Sequence, residues 1–420
     1  MIDCPEIPNV RHLRMVQTIG RLGGVSSAAR ELNTSQPAVT QAVANLEKDL
    51  GAELFDRCAT GTFPSELGRL FLRRVDRFFG VLEDAMRDVQ GSGADRHGKA
   101  PLAERLITGS QIRSLIVISE PATLEVRADR LGVSSTSFYR SVRELERTLG
   151  RNLIERTPNG PVCNKTGAFL ARELRKAIRE IDFGRIEVQQ AAGSDADMEI
   201  VIGALPMSGS FVLSEALREF MGLRRTAKVR VITGDYRFLL NELSLCNIDM
   251  IFGLLRKPEW ATDLEEEAFF QDAFCVVTRK GHPLGLVPDI TPQHLADYDW
   301  VVPAEGTPRR AQIDNLFAGT GKKPRFGIET SSLATLRALL VNSDLITIMT
   351  RSEVHFDANI DLVESMPCRF LAPLPAKGIT TRTGWLPTDA HLTFLDCLRG
   401  ATSKLEHVDH RRRPAVKLAS

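Results

Sequence analysis

The sequence lacks the features that mark several common classes of protein. No apolar run approaches the ~18 residues that a membrane-spanning helix needs. The opening stretch MIDCPEIPNVRHLR has no apolar core of the kind found in secretory signals, so we expect a cytoplasmic protein. The seven cysteines form no C-x-x-C pair and meet no histidine cluster that could complete a zinc site. We therefore expect reduced thiols, no metal site and no cofactor.

The length and charge of the chain indicate how many domains it has and what it could bind. One hydrophobic core stops growing near roughly 250 to 300 residues, so 420 residues should form two or three domains. The first 190 residues hold 28 basic and 24 acidic side chains, and the remainder holds 26 and 29. The small net positive charge of the first 190 residues is consistent with a nucleic-acid partner but does not prove one.

A repeat with an offset of 99 residues is the main internal pattern. LEKDLG at 46–51 returns as LERTLG at 145–150, and at the same offset Arg57 meets Arg156 and Gly68 meets Gly167. The repeated unit is predicted to contain two short helices and a turn, with Ser35 as the N-cap of the second helix. One structural unit has therefore been used twice.

The second helix of the first unit has two different faces. Its apolar residues recur at helical spacing and should face inward: Val39, Val43, Leu46 and Leu50. The outward positions are then Gln36, Thr40, Gln41 and Ala44. Small and amide side chains on an open helix face suit a major groove, where glutamine pairs with adenine edges. The alternative is an ordinary solvated surface.

The stretch SSAARELNTSQPAVT at 26–40, with Leu46-Glu47 and LFDR at 54–57, resembles the LysR-type winged helix-turn-helix. The Pro64-Ser65-Glu66 segment departs from the Leu-Thr pair usual in that family. The resemblance implies phosphate contacts from Arg57 and the Thr60-Gly61-Thr62 tip, and contacts to bases or backbone from Ser35, Gln36, Pro37, Thr40 and Gln41. Arg57 as a structural anchor is the alternative. The predicted DNA-binding set is Ser26, Ser35, Gln36, Pro37, Thr40, Gln41, Arg57 and Thr62.

The second copy has no counterpart in the usual family layout, which holds one winged helix. Its inward residues match the first copy: Phe138, Val142, Leu145 and Leu149. Its outward residues differ and are predicted to bind DNA with another base preference: Ser135, Thr136, Tyr139, Arg140 and Arg143. The alternative is a degenerate copy kept for assembly.

A long helix follows each copy. The first carries an a/d seam: Phe71, Val75, Phe78, Leu82, Ala85 and Val89. The second repeats the pattern with smaller residues: Leu170, Leu174, Ala177, Ile181, Gly184 and Val188. These helices resemble the linker helix that pairs two subunits in the family, which implies a homodimer or tetramer. The alternative is a helix packed within its own chain.

The C-terminal half alternates strand and helix, which favours parallel sheets. It resembles the two-lobed, periplasmic-binding-protein-like effector domain of LysR-type regulators. The runs SSLATLRAL at 331–339 and TTRTGWLPT at 380–388 resemble the branch named for the galactose-binding-protein regulator, which is associated with sugars and aromatic acids. Helix N-termini beyond strand ends suit an anionic or hydroxylated ligand. The predicted effector contacts are Met207, Ser208, Ser210, Thr330, Ser331 and Ser332, with plain N-capping as the alternative.

The sequence thus predicts a multidomain fold: two α-rich winged helix-turn-helix copies with long linker helices, then an α/β two-lobed domain. The predicted domain bounds are 8–67, 68–90 (linker and dimerisation helix), 91–106 (flexible linker), 107–166, 167–190, 197–400 and 401–420 (disordered tail). The predicted function is a DNA-binding transcriptional regulator with a small-molecule effector. Its expected partners are double-stranded DNA, the effector, itself and RNA polymerase. The alternatives are a constitutive DNA-architectural protein and a dehydratase-type enzyme, for which no catalytic set beyond Arg382 is visible.

Overall fold

The fold is that of a computed structural model. Two compact units make up the chain: the first runs to Met198 and includes Ser244–Asn247, and the second holds the rest. Within the ranges described, no helix combines the length and apolarity that crossing a bilayer requires. The structure describes residues 9–411 apart from 60, 92–106, 121–132, 159, 194–197, 207–209, 257–262, 319, 323, 360–361 and 369.

Residues 10–90 form the first copy of the repeat, which consists of helices and a two-stranded hairpin. Its elements are α1 (Val10–Leu22), α2 (Val25–Glu31), α3 (Gln36–Leu50), β1 (Phe55–Cys58), β2 (Gly61–Pro64) and α4 (Glu66–Gln90). The predicted N-cap is confirmed, because the Ser35 hydroxyl accepts a hydrogen bond from the Ala38 N–H. Gly51 ends α3 at φ +68°, a left-handed conformation that glycine adopts without a Cβ clash.

The same arrangement of elements returns further along the chain. The later elements are α5 (Gly109–Ser119), α6 (Ser135–Leu149), β3 (Ile154–Thr157), β4 (Gly160–Cys163) and α7 (Lys165–Ala191). Each begins 99 residues after its counterpart among α1, α3, β1, β2 and α4. The counterpart of α2 falls in 121–132, outside the described residues, so a complete second helix-turn-helix stays a prediction. The predicted flexible linker also lies outside them, except for Gly91.

One glutamate in each copy ties the hairpin to the preceding helix. Glu47 Oε1 accepts a hydrogen bond from the Leu54 N–H at 2.8 Å. Glu146 Oε1 accepts one from the Leu153 N–H at 2.7 Å. A buried N–H at the start of a hairpin must find a partner. The Leu-Glu pair that recurs in the sequence therefore has a structural role in both copies.

A glycine lets each long helix pass close to the hairpin. A Cβ on Gly68 would lie 1.9 Å from the Leu54 carbonyl oxygen, and one on Gly167 would lie 2.0 Å from that of Leu153. Since only a backbone shift relieves such contacts, Gly68→Ala and Gly167→Ala should each lower the free energy of unfolding by about 1–3 kcal/mol. Urea denaturation followed by circular dichroism measures this.

The matched control is Gly80→Ala in α4, where an added Cβ meets nothing within 4 Å. Alanine favours the helix interior over glycine, so this variant should be more stable by about 1 kcal/mol. A Gly68→Ala variant as stable as Gly80→Ala would contradict the close approach.

The long helices α4 and α7 pack against each other inside the chain. Arg77 pairs with Glu180, and Arg73, one turn earlier, pairs with Glu187, so the helices run antiparallel. The prediction that the α4 seam joins two subunits is wrong, because its residues are buried in a core shared with α7. The second helix lies on the same chain, so its effective concentration exceeds that of any second subunit.

The second unit contains alternating helices and strands. In chain order they are β5 (Glu199–Ala204), α8 (Ser210–Leu223), β6 (Lys228–Thr233), α9 (Tyr236–Ser244), β7 (Met250–Leu254), β8 (Leu264–Phe270), β9 (Phe274–Arg279), a 3₁₀ turn (Pro283–Leu286), α10 (Pro292–Leu295), β10 (Trp300–Val302), α11 (Pro308–Phe317), β11 (Phe326–Glu329), α12 (Leu333–Val341), β12 (Thr347–Thr350), α13 (Arg351–Asn359), β13 (Val363–Pro367), β14 (Lys377–Arg382) and α14 (Asp389–Arg411).

These strands form two lobes with separate sheets. The first sheet has the order β6-β5-β7-β14-β8, and the second lobe holds the sheet β12-β9-β13 and the pair β10-β11. Strands β5, β6 and β7 are parallel, as are β10 and β11. The expectation of parallel sheets is wrong for β14, β8 and β9, which pair antiparallel. The chain leaves the first lobe after β8 and returns at β14, so β14 runs opposite to the other four strands of its sheet. In the second lobe, β9 runs opposite to β12 and β13.

The prediction of a disordered tail at 401–420 is wrong for its first eleven residues, which are helical. Helix α14 continues to Arg411, and Ala401 is fully buried. Lys404 Nζ lies 2.9 Å from a Glu215 carboxylate oxygen and 3.1 Å from one of Glu219, both on α8. These ion pairs order a polar segment that composition alone suggests is solvated. Residues 412–420 lie outside the described residues.

Candidate DNA interface and ligand cleft

Helix α3 turns one face to the core and the other to solvent. The apolar residues Val39, Val43, Leu46 and Leu50 are at most 8% exposed. Its outward residues are exposed: Gln36, Pro37, Thr40, Gln41 and Ala44. The predicted division of this helix into two faces is confirmed.

The amide side chains of this face are held in place by neighbours. Gln36 Nε2 donates to Ser26 Oγ on α2 at 2.8 Å. Gln41 Nε2 donates to Asn45 Oδ1, one turn along α3, at 2.9 Å. Both glutamines are exposed, so they remain accessible to a base edge. Ser26, from the predicted DNA-binding set, therefore positions Gln36 in this structure.

The hairpin places a cation beside α3. Arg57 on β1 lies opposite Thr62 on β2 in the antiparallel ladder. The Arg57 side chain is exposed and, among the described residues, has no hydrogen-bond or ion-pair partner. Such an arginine suits a phosphate contact better than a structural anchor. Thr60 lies outside the described residues.

The outward face of α6 in the second copy is chemically different. The Arg140 side chain is 81% exposed and lies 3.5 Å from Glu144, one turn along the helix. Thr136 is exposed, whereas Ser135 is half-buried. A surface pair of this kind contributes little to stability, so Arg140 remains available to a partner.

Arg143, in contrast, is engaged within the second copy. Its Nε donates to Tyr139 Oη at 2.9 Å, and its NH1 donates to Glu146 at 2.7 Å. Arg156, the counterpart of Arg57, also donates to Tyr139 Oη at 3.1 Å. The hydrogen bonds from Arg156 and Arg143 lower the pKa of Tyr139. Of the two arginines predicted to bind DNA from this helix, the structure leaves Arg140 as the outward one.

A cavity of about 740 Å³ opens in the second unit, within the size range of small-molecule sites. Both lobes of that unit contribute to its walls. Its lining includes Leu205, Pro206, Asp235, Tyr236, Arg237, Arg256, Phe274, Thr307, Arg309, Ser331, Thr350, Glu353 and Lys377.

Of the six predicted effector contacts, Ser331 lines this cavity. Ser332 caps α12, because its Oγ accepts from the Thr335 N–H at 3.3 Å, and Thr330 Oγ1 accepts from the Ser332 N–H at 3.1 Å. Ser332 therefore has the N-capping role that was the alternative, and the Thr330 hydroxyl supports the turn before it. Met207, Ser208 and the side chain of Ser210 lie outside the described residues.

A buried ion-pair network forms one wall of the cavity. Lys377 Nζ lies 2.8 Å from Asp272 Oδ2 and donates to the hydroxyls of Thr350 and Ser352, each at 2.7 Å. Lys377 and Asp272 are almost fully buried. Although burial raises the pKa of the Asp272 carboxyl, the charge and hydrogen bond of Lys377 lower it by more. Two buried charges are tolerated here because each is paired and hydrogen-bonded.

The same wall holds a second pair, which joins the first because Lys377 Nζ lies 3.9 Å from Glu353 Oε1. Arg309 NH2 lies 2.7 and 2.6 Å from the two carboxylate oxygens of Glu353. Glu353 Oε2 also accepts from the Thr350 N–H at 2.9 Å. The charges of Lys377, Asp272, Arg309 and Glu353 therefore balance one another.

Arg256 is one of two arginines of the lining, with Arg237, that lie outside this network. Its guanidinium lies over the Tyr236 ring, 4.4 Å from the centroid, and has no ion-pair partner among the residues the structure describes. Burial lowers the pKa of Arg256. The Tyr236 hydroxyl is buried without a hydrogen-bond partner in the described ranges. Burial raises its pKa to about 12, so it is neutral at pH 7.

Sequence reasoning missed the charged residues of the cavity. Arg256 follows β7, Thr350 ends β12 and Lys377 begins β14, so all three stand at strand ends. Ligands of open α/β sheets lie beyond strand ends. A search for charged residues directly next to predicted strands, in addition to hydroxyls before helices, could have found them.

Arg382 has a structural role. Its NH1 donates to the carbonyl oxygens of Leu243 and Ile248, at 2.8 and 2.9 Å, and the side chain is buried. His391 and Thr388 form another buried pair, with the Thr388 hydroxyl 2.8 Å from His391 Nδ1. Both are sealed from solvent. In the parts of the chain that the structure describes, no group of three or more His, Cys, Asp or Glu residues could hold a metal ion.

Known proteins resemble both halves of the chain. Residues 10–69 match the bacterial regulatory helix-turn-helix of the lysR family, and residues 194–403 match the LysR substrate binding domain. "HTH-type transcriptional regulator GalR" of Pseudomonas putida is 28% identical over 402 residues, covering 95% of this chain and 98% of the relative. That range includes both copies of the repeat.

Other similar proteins match less of this chain. "HTH-type transcriptional regulator PcaQ" of Agrobacterium fabrum is 24% identical over 306 residues, which cover 72% of this chain and 98% of the relative. Among solved structures, a full-length OxyR variant of Pseudomonas aeruginosa is 18% identical with a TM-score of 0.43, covering 70% of this chain and 99% of that one.

The effector-domain match alone takes in half of the chain, and the DNA-binding match begins where α1 begins. The chain therefore belongs to the LysR family of bacterial transcriptional regulators, with an N-terminal helix-turn-helix and a C-terminal effector-binding domain.

Proposed function

We propose that α3 reads a promoter-proximal operator through the major groove and that the hairpin fixes its register. Gln36, Thr40 and Gln41 contact base edges. Ser26, Ser35 and Pro37 set the approach of the helix, and Arg57 and Thr62 contact phosphate. The observation that carries this proposal is the exposed amide face of α3, which stands on a buried apolar face beside Arg57, an exposed arginine with no partner among the described residues.

We propose further that the effector is a small organic acid, aromatic rather than sugar-like. Arg256 supports an anion, because a cation of the lining that has no carboxylate partner among the described residues gains most from a ligand that supplies one. Tyr236 and Phe274 add aromatic surface to the lining, and Ser331 supplies a hydroxyl. Effector binding changes the geometry of the second unit and thereby DNA binding. A homodimer or tetramer and contact with RNA polymerase complete the proposal.

Thermal-shift measurements on the full chain test the effector class. A panel of benzoate-type acids should contain at least one compound that raises the melting temperature, while neutral sugars leave it unchanged. A ligand at a hundredfold its dissociation constant stabilises by about 2.7 kcal/mol. Arg256→Gln should abolish that shift.

The control for this experiment is Arg225→Gln, an exposed arginine of the same unit that does not line the cavity. It should keep the full shift. A sugar that stabilises the Arg256→Gln variant as much as the unsubstituted chain would contradict the organic-acid proposal.

A further inference from the structure

The charges between α4 and α7 fit this mixed pair better than a pair of two α4 or two α7 helices. Arg74 is fully buried, and it donates to Glu180 at 2.8 Å and to Glu187 at 3.0 Å, both on α7. In the 99-residue repeat, the counterparts of these glutamates in α4 are Val81 and Asp88. Two α4 helices paired in the same way would give each buried Arg74 one carboxylate where it now has two.

The same comparison of charges disfavours a pair of two α7 helices. The α7 counterpart of Arg74 is Glu173. Two α7 helices packed in the observed register would therefore set Glu173 against Glu180 and Glu187. Like charges placed across a helix interface select against that pairing.

Side-chain size favours the mixed pair as well. A Cβ on Gly184 of α7 would lie 3.0 Å from Arg74 Cβ and 3.2 Å from Phe71 Cδ2, both on α4. The α4 counterpart of Gly184 is Ala85, which has that Cβ. Two α4 helices would therefore crowd at the position where α4 and α7 fit closely.

We propose that one chain reads two unlike DNA half-sites, the first through α3 and the second through α6, with the α4–α7 pair in place of a linker-helix pair between two subunits. This inference rests on the DNA binding proposed above. It is supported by the contacts of α4 with α6 and of α7 with α3, which hold both helices in one frame. It is also supported by Thr136 and Arg140, which are exposed on α6.

The two half-sites differ in the chemistry that reads them. Glutamines such as Gln36 and Gln41 pair best with adenine, whereas an arginine such as Arg140 pairs best with the O6 and N7 of guanine. Tyr139 stands at the position of Thr40 and is bound by two arginines. The second half-site should thus contain a guanine where Arg140 reaches, and it should not be the inverted copy of the first.

Selection of bound duplexes from a random pool tests this with the full chain. The unsubstituted protein should enrich two dissimilar half-sites at one fixed spacing. Arg140→Ala should weaken base preference in the second half-site roughly tenfold and leave the first intact. Joint Gln36→Ala, Thr40→Ala and Gln41→Ala should do the reverse. Arg147→Ala, an exposed arginine in the last turn of α6, is the matched control and should change neither.

The possible failures are distinguishable. No enrichment by the unsubstituted chain would overturn the proposed DNA binding and this inference with it. Enrichment of an inverted repeat, both halves of which respond to the α3 substitutions and neither to Arg140→Ala, would overturn only the two-reader inference. A single half-site with no second element would do the same.

Discussion

Alanine at Gln36, Thr40 and Gln41 together will weaken binding to the operator roughly 10³-fold, to the level of random DNA. The reason is that these side chains present the polar groups of α3 to the groove, while the apolar face behind them holds the fold. Affinity for random duplexes and the unfolding midpoint should not change. Fluorescence anisotropy with operator and random duplexes at one stated salt concentration measures both affinities.

Two control variants sharpen this result. Lys48→Ala with Asp49→Ala changes two exposed residues at the far end of the same helix without altering net charge, and it should leave both affinities intact. Arg57→Ala should weaken operator and random DNA alike and reduce the salt slope by about 0.9 per lost phosphate contact. If the triple variant folds and keeps its operator affinity, the proposal that α3 reads the operator is refuted.

Lys377→Met should lower the free energy of unfolding of the second unit by roughly 3–5 kcal/mol, because it leaves the buried Asp272 carboxylate without its cation. The first unit's sequence contains no tryptophan, and Trp300 and Trp385 lie in the second unit, so tryptophan fluorescence during urea denaturation reports on that unit. Adding Asp272→Asn to Lys377→Met should recover part of the loss.

The surface lysine Lys404 provides the comparison. It pairs with Glu215 and Glu219 but is half exposed, so Lys404→Met should cost at most about 1 kcal/mol. Equal losses from Lys377→Met and Lys404→Met would show that the buried network does not stabilise the second unit.

The same network has a signature in the pH dependence of stability. The pKa of Asp272 is lowered in the folded chain, so its contribution is full above the unfolded pKa and is lost as the pH falls through the folded value. In Lys377→Met the cation that lowers this pKa is absent. The loss of stability on the acid side should therefore be smaller in the variant than in the unsubstituted chain.

The sequence predicted local structure well where one residue has one physical role. The 99-residue offset located the start of each repeated element, since Leu-Glu pairs and the tightly packed Gly68 and Gly167 are needed wherever this hairpin meets a long helix. The faces of α3 followed from spacing alone. An a/d seam, however, shows only that a helix face is buried and not what covers it, so the partner of α4 was predicted wrongly.

The cavity was harder to predict for a related reason. Arg256 and Lys377 lie 121 positions apart, and the two crossings between the lobes bring them to one cavity. Hydroxyls before helices were chosen because they are visible in sequence, but Ser332 serves as a cap. Arg140 and Arg143 were both predicted to face outward and bind DNA. In the structure Arg143 instead donates to Tyr139, and Arg140 stays exposed.

The contact between α4 and α7 has a consequence for scarce proteins. Subunits that meet by diffusion separate on dilution, whereas two helices on one polypeptide stay together at any abundance. A bacterium holding only a handful of molecules of this regulator would therefore keep this helix pair assembled in each of them.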